Sequence, residues 1–323
     1  MRGLAPPYFG PGPFPAGREW STQVPMGSSI ASIQTIAVIG AGTMGHGIAH
    51  VSALAGFETR LFDVNAEGLA RGMRAIETNL DKGVARGKVT AEARDKALSS
   101  VRATDALPAA VEGADLVIEA VPERLDLKQS VFRDAAAHAP ASAIFGTNTS
   151  SLSVAAIATG MPRPENVIGL HFFNPVHIMK LLEIIVADVT SDETFAAARA
   201  YGQAIQKQTI RVRDVPGFAT SRLGLVIGLE AIRMVEQGVA SAEDIDRAMT
   251  LGYGFPMGPL KLTDLVGLDV RLHIAEYLAE HLPDGAHFAP PKLLRAMVAE
   301  GKLGKKSGHG FYDWTEDGAE KRG

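Results

Sequence analysis

The chain has 323 residues, more than one ordinary domain and fewer than three, so two hydrophobic cores are expected. Its 46% hydrophobic and 21% charged residues fit a soluble globular protein, and a net charge of −4 without a long basic run argues against nucleic acid as a partner. Cysteine is absent, which removes disulfides, thiolate metal sites and covalent cysteine chemistry and points to a reducing, cytoplasmic setting.

In chain order, the first 27 residues include eleven Gly or Pro. Such a segment builds no helix and buries little, and it lacks the apolar core and positive flank of a secretory signal. Residues 1–32 are therefore set aside as a disordered tail or an over-extended start, with Met26 as the candidate initiator. From Ile33 the pattern changes. Residues 36–39 form a short β-branched run ending at Gly40, residues 43–54 have helical spacing, and residues 58–62 read as a second strand closed by Asp63. A charged helix spans 67–88, a buried strand 116–118 and another helix 126–138. Strands at 144–145, 167–170 and 181–186 complete the series, the last as an antiparallel edge hairpin. Strands alternating with helices imply a doubly wound, mostly parallel sheet covered on both faces.

After the turn at Asp214, Pro216 and Gly217 the strand signal stops. Residues 218–237 are helical and apolar nearly all round, and such a helix needs cover on more than one side. Ser241 and Asp244 form a capping-box-like start for the next helix, and further helices are expected near 260–266, 270–282 and 291–300. The run 223–229 is far short of the roughly 20 residues a membrane span needs. The expected organisation is a nucleotide-binding domain over 33–212, an all-α domain over 213–315 and a tail over 316–323. The small second domain has unusually apolar helices, so a homodimer is expected.

The strongest motif is Gly40-Ala41-Gly42-Thr43-Met44-Gly45 between a strand and a helix, with Asp63 closing the next strand. Gly40 makes the tight turn, Gly42 lets a pyrophosphate approach the backbone, and Gly45 lets helix pack on strand. The helix N-terminus adds free N–H groups and its positive dipole end. A carboxylate at Asp63 accepts hydrogen bonds from a ribose 2′-OH and repels a 2′-phosphate, so the Rossmann-type domain is expected to take NAD rather than NADP.

Hydride transfer needs a proton acceptor. His46 and His50 lack the glutamate and third ligand of a metalloprotease helix and read as packing on the nucleotide side, and no metal site is expected. His138, His273, His281 and His287 fall on helices or loops away from the sheet ends. His171 follows an apolar strand at the carboxyl edge, where open α/β sheets bind ligands. Glu183, twelve residues later, is embedded among Leu182, Ile184 and Ile185, where a carboxylate is costly unless paired. Adjacent strands can bring the two together, either as a catalytic dyad with the carboxylate fixing the imidazole tautomer, or as a buried structural ion pair.

The series GAGTMGHGIA, VIEAVPE, GTNTSS, HFFNPV, LLEII, DVPGF, LGYGFPMGPL and GKKSGHGFYDW runs from Ile36 to Trp314. In it the chain resembles the L-3-hydroxyacyl-CoA dehydrogenases, most closely their bacterial 3-hydroxybutyryl-CoA branch. The resemblance implies a Rossmann-type domain followed by a helical dimerisation domain, NAD as cofactor and a (3S)-3-hydroxyacyl-CoA as substrate. It makes His171 the catalytic histidine and Glu183 its carboxylate partner, with Ser150 helping to hold the substrate. Glu123, Lys128, Asn148, Ser150, Asn174 and Lys306 match positions lining the NAD site. Asn79 and Arg86 match positions that contact CoA in a region of more variable spacing, where Lys82, Arg71, Arg74 and Lys88 add charge. Ser221 stands where the family pattern carries an asparagine associated with the acyl carbonyl; it keeps a single hydroxyl donor but loses the amide's second.

Two other readings share these motifs. A dehydrogenase of free hydroxy acids, of the gulonate dehydrogenase or lambda-crystallin type, has the same nucleotide motif and a His–Glu pair. A non-catalytic NAD-binding homologue is the other. The 6-phosphogluconate-like enzymes need a lysine base for which nothing here matches, and UDP-sugar dehydrogenases need a cysteine.

Overall fold

The computed structural model describes residues 33–315 and 318–320. The tail reading of residues 1–32 and the candidate start at Met26 lie outside the described residues. The chain divides into two compact units between Val215 and Pro216.

In the first unit, strands β1 (Thr35–Ile39), β2 (Glu58–Phe62), β3 (Val101–Thr104), β4 (Leu116–Glu119), β5 (Ile144–Thr147), β6 (Val167–Phe172), β7 (Leu181–Val186) and β8 (Gln208–Arg213) form one sheet in the order β3-β2-β1-β4-β5-β6-β7-β8. The ladders are parallel except between β6 and β7. Helices α1 (Gly45–Leu54), α2 (Ala66–Ala85), α3 (Ala91–Ser100), α4 (Leu107–Val111), α5 (Leu125–Ala136), α6 (Val154–Ile157) and α7 (Asp192–Ala204) connect the strands. Strands β4 and β6 are buried at every position, which is why they read as continuous apolar runs rather than as alternation. Helix α2 shows the opposite pattern: Leu69, Gly72, Ile76 and Leu80 form one buried stripe, and Asn65 caps its start by accepting from Gly68 N–H at 2.9 Å.

The sequence expectation of an edge hairpin at 181–186 needs correction. β7 does run antiparallel to β6, but β8 pairs parallel on its outer side, so β7 is interior. β8 has a half-exposed, polar-alternating sequence, QTIRVR, as an edge strand should.

In the second unit, α8 (Thr220–Glu236), α9 (Ala242–Arg247), α10 (Pro259–Val266), α11 (Leu268–His281) and α12 (Lys292–Ala299) enclose a core that includes Leu225, Leu229, Ile232, Leu260, Leu268, Leu278 and Leu294. Two buried aspartates tie its loops down. Asp246 accepts from the N–H groups of Leu260 and Lys261, both at 2.8 Å, at the start of α10. Asp264 accepts from Phe311 and Tyr312 N–H and from Trp314 Nε1, each at 2.9 Å. Among residues set aside as tail, β10 (Gly318–Glu320) pairs antiparallel with β9 (Asp313–Thr315).

Candidate active site

The carboxyl ends of β1, β4, β5 and β6 share one edge of the sheet, and the chain order reverses about β1, whose neighbours are β2 and β4. The glycine motif sits there. Gly40 has φ +99°, and a Cβ on it would lie 2.9 Å from the Ala120 carbonyl oxygen. A Cβ on Gly45 would lie 1.6 Å from the Gly40 carbonyl oxygen, so any side chain there would drive α1 off the strand. Gly42, by contrast, is exposed with nothing within 4 Å of the position its Cβ would occupy. The N-terminus of α1 has no side-chain cap. An open cradle at an uncapped helix start fits a dinucleotide pyrophosphate. Asp63 closes β2, and its two carboxylate oxygens accept from Ala41 N–H at 2.8 Å and Asn65 N–H at 2.9 Å. Those bonds fix the carboxylate beside the glycine turn and leave further lone pairs for ribose hydroxyls.

A buried ionic network holds the ends of β4 and β5. Lys128 on α5 reaches back so that Nζ lies 2.7 Å from Glu119 Oε1 and 3.3 Å from Glu123 Oε2. Glu119 and Lys128 have side chains 0% and 1% exposed. Burial pushes the Glu119 carboxyl up, against the opposing pull of Lys128 and of Thr147, whose hydroxyl donates at 2.8 Å. For Glu123 burial acts in the same direction, but Lys128 and the donors Thr149 Oγ1 (2.6 Å) and Ser150 N–H (2.8 Å) outweigh it and hold its pKa below the ordinary value. Glu123 thereby fixes the turn 149–151 that carries Ser150. Glu119 was not singled out from sequence, although it presents the same signal as Glu183, a carboxylate ending an apolar run.

His171 and Glu183 are directly opposite in the antiparallel β6–β7 register. His171 Nδ1 lies 2.7 Å from Glu183 Oε2, with the glutamate side chain 0% and the histidine side chain 9% exposed. A carboxylate is only an acceptor, so it favours hydrogen on Nδ1 and leaves the lone pair on Nε2. The Phe173 ring lies against the imidazole with centroids 4.5 Å apart. Asn148 joins strand ends: its Oδ1 accepts from Phe172 N–H at 3.0 Å, and its own N–H donates to the Glu119 carbonyl at 2.9 Å.

The structure thus gathers Gly40, Ala41, Gly42, Thr43, Met44, Gly45 and Asp63 at the β1–β2 end, and Glu123, Lys128, Asn148, Ser150, His171 and Glu183 at the β4–β7 ends. Asn174 is exposed in the loop after β6. Asn79 is half-buried and Arg86 exposed, seven residues apart and so on one face of the end of α2. Ser221 and Lys306 belong to the second unit. Ser221 is in the first turn of α8, and Lys306 Nζ lies 2.5 Å from the Asp269 carboxylate. His50 is buried and stacks on His177 with centroids 5.2 Å apart, while His46 Nδ1 lies 2.8 Å from the Gly42 carbonyl. Burial first, then neighbouring His177, His46 and Lys207, lower the His50 pKa to about 4. Among the described residues, no group of three or more His, Cys, Asp or Glu is placed to hold a metal ion.

Residues 35–215 match the family model described as 3-hydroxyacyl-CoA dehydrogenase, NAD binding domain, and residues 217–314 match that family's C-terminal domain. A 3-hydroxybutyryl-CoA dehydrogenase of Bradyrhizobium diazoefficiens is 43% identical over 284 residues, covering 88% of this chain and 96% of that protein. The crystal structure of M. tuberculosis FadB2 superposes with a TM-score of 0.84 at 40% identity, covering 88% of this chain and all of that one. The (S)-3-hydroxybutyryl-CoA dehydrogenase PaaH1 of Ralstonia eutropha superposes with a TM-score of 0.85 at 36% identity, with coverage of 88% and 100%.

Proposed function

This chain belongs to the 3-hydroxyacyl-CoA dehydrogenase family, and from that premise we propose that His171 is the general base in its NAD-dependent, reversible oxidation of (3S)-3-hydroxyacyl-CoA, such as 3-hydroxybutyryl-CoA, to 3-oxoacyl-CoA. The observation that carries the assignment is the 2.7 Å contact between His171 Nδ1 and a fully buried Glu183. NAD, when bound, accepts the hydrogen on C3 as hydride. His171 Nε2 takes the proton of the C3 hydroxyl, and the Glu183 carboxylate stabilises the imidazolium that results. Glu183 also holds the ring in one orientation, which matters because proton transfer fails outside hydrogen-bond reach.

Ser150, on the turn that Glu123 ties down, is assigned to the substrate beside the histidine. Gly40 to Gly45 and Asp63 hold the dinucleotide phosphates and ribose. Glu123, Lys128, Asn148, Ser150, Asn174 and Lys306 are assigned to the remainder of the NAD site, as the family motifs imply. Asn79 and Arg86 are assigned to CoA, whose phosphates call for cationic partners, and Ser221 takes the polar role of the family asparagine. We assign residues 33–212 to nucleotide binding and 213–315 to the helical substrate and dimerisation domain.

A homodimer is supported by the apolar residues this second unit exposes: Leu223 on α8, Leu262, Leu265 and Val266 on α10, and Val270 on α11. Absence of cysteine supports a cytoplasmic location. No helix among the described residues is long and apolar enough to cross a membrane.

The test is NADH consumption with acetoacetyl-CoA, compared with free acetoacetate and with L-gulonate plus NAD. Rapid turnover of the thioester alone is the expected result. Equal or faster turnover of the free acids would favour the hydroxy-acid dehydrogenase reading, and no turnover of any would favour a non-catalytic NAD binder.

A further inference from the structure

The segment that carries Ser150 is tied down at both ends by carboxylates. At its near end Glu123 Oε1 accepts from Thr149 Oγ1, Ser150 N–H and Ser151 N–H, at 2.6, 2.8 and 3.1 Å. At its far end stands Asp214, a buried residue immediately after β8 that the reaction above does not use. Its carboxylate accepts from Ser153 Oγ at 2.9 Å, Val154 N–H at 3.0 Å and Ala155 N–H at 2.8 Å. Helix α6 already has a cap in Ser153, whose Oγ accepts from Ala156 N–H at 3.2 Å. A second, buried acceptor on the same four-residue helix is costly to desolvate, and starting the helix does not account for it.

Asp214 is anchored to the strands that hold the His171–Glu183 pair. Its N–H donates at 3.1 Å to the carbonyl of Val186, three residues beyond Glu183 on β7. The start of α6 rests on the same strands. Gly169 and Ile185 lie opposite each other in the β6–β7 register, two residues from His171 and Glu183 respectively, and so on the same face of the sheet as the pair. Val154, fully buried, fills the place of a side chain at Gly169: a Cβ there would lie 3.0 Å from Val154 Cγ2 and 2.7 Å from Ile185 Cβ. Two residues of strand, about 7 Å, separate this notch from His171. The backbone 153–155 is thus referenced to the strands of the histidine, and Ser150 stands three residues before it.

We propose that Asp214 is a positioning residue for Ser150: it locks the segment 149–155 to β6, β7 and β8, so that the Ser150 hydroxyl is held in fixed register with the His171 imidazole. The proposal rests on the dehydrogenase reading, in which Ser150 holds the substrate beside the histidine. The two carboxylates divide the work. Glu123, paired with Lys128, joins the turn to α5 and the end of β4, whereas Asp214 joins it to the strands that carry the base. Bonds to a charged acceptor are the stronger kind, which suits a fixed reference point. A misplacement of about 1 Å at such a contact can cost roughly a hundredfold in rate. Asp214 touches neither substrate nor cofactor; it acts through Ser150.

The experiment is a double-mutant cycle on kcat/KM for NADH-dependent reduction of acetoacetyl-CoA, with Asp214→Ala, Ser150→Ala and the double variant. Asp214→Ala is expected to lower kcat/KM at least about thirtyfold in the wild-type background and less than about threefold in the Ser150→Ala background. Asp214→Asn, which keeps one acceptor oxygen, should recover to within about fivefold of wild type. Losses that multiply in the double variant would make Asp214 a purely structural residue and overturn the proposal while leaving the dehydrogenase reading intact. Ser150→Ala with undiminished kcat/KM would overturn it as well, since there would be no contact to position. Failure of the wild type to reduce acetoacetyl-CoA would overturn both. If Asp214→Ala does not fold, Ser153→Ala, which removes one of the three donors, runs the same cycle: a loss of about fivefold that disappears in the Ser150→Ala background is expected, and a loss that persists there would overturn the proposal.

Discussion

Replacing Glu183 by Gln is the sharpest probe of how the buried carboxylate acts. The two side chains are nearly the same size, so packing within β7 is kept and only the charge is removed. The imidazolium and carboxylate charges sit about 4 Å apart, and at an effective dielectric of about 20 their attraction is worth about 4 kcal/mol. Since each 1.4 kcal/mol is a factor of ten, full loss of that term would slow proton transfer roughly a thousandfold. A residual Nδ1–H···O bond to the glutamine amide recovers part of it, which sets the expected fall in kcat between a hundredfold and a thousandfold. The assay is steady-state NADH formation from (3S)-3-hydroxybutyryl-CoA, with NAD affinity measured separately by quenching of protein fluorescence. NAD affinity should stay within about twofold of wild type, because Asp63 and the glycine turn are untouched. A kcat within threefold of wild type would refute the reasoning and leave the His171–Glu183 contact as a structural pair.

Three further outcomes follow from the site. Asp63→Ala should weaken NAD binding about tenfold and relax discrimination against NADP, measured by titration with both nucleotides; an unchanged preference would remove Asp63 from the ribose contact. Lys128→Met leaves Glu119 buried and unpaired, so unfolding in urea should show a loss of about 3–5 kcal/mol, and a loss under 1 kcal/mol would contradict the network's role. For His50 the native pKa of about 4 lies below the unfolded value of about 6.5. The unfolded chain therefore binds the extra proton first, and the contribution of neutral His50 is complete above pH 6.5 and lost as pH falls toward 4. Between pH 7.5 and 5 this amounts to about 2 kcal/mol of stability, which His50→Gln should abolish; an identical pH dependence in the variant would assign acid lability to other groups.

Much of the nucleotide-binding unit was legible because a parallel sheet covered on both faces writes its central strands as plain apolar runs, as at residues 36–39, 116–118 and 167–170. The elements not read from sequence lack that mark. β3 is VRAT, with Arg102 exposed, and β8 alternates polar and apolar residues as an edge strand. Helix α7 is alanine-rich, so its sequence carries a weak apolar stripe even though Phe195 and Tyr201 are buried. β7 reads as an edge from sequence because β8, which covers it, carries no apolar run. The His171–Glu183 contact was legible because a carboxylate inside LLEII has to be paired. Glu119 at the end of LVIE obeys the same rule, but it lies four residues before Glu123 of the VPE motif, so the sequence offers two candidate carboxylates there. Arg271 left no such trace. A long cationic side chain on a helix ordinarily carries its charge to solvent, whereas Arg271 on α11 is 7% exposed.

The most direct test of the account is single-turnover NADH formation from (3S)-3-hydroxybutyryl-CoA at saturating NAD in His171→Asn. If His171 is the base, the hydride-transfer rate should fall by roughly 10²–10⁴-fold while NAD affinity changes less than twofold. A single-turnover rate within threefold of wild type would show that some other group takes the proton.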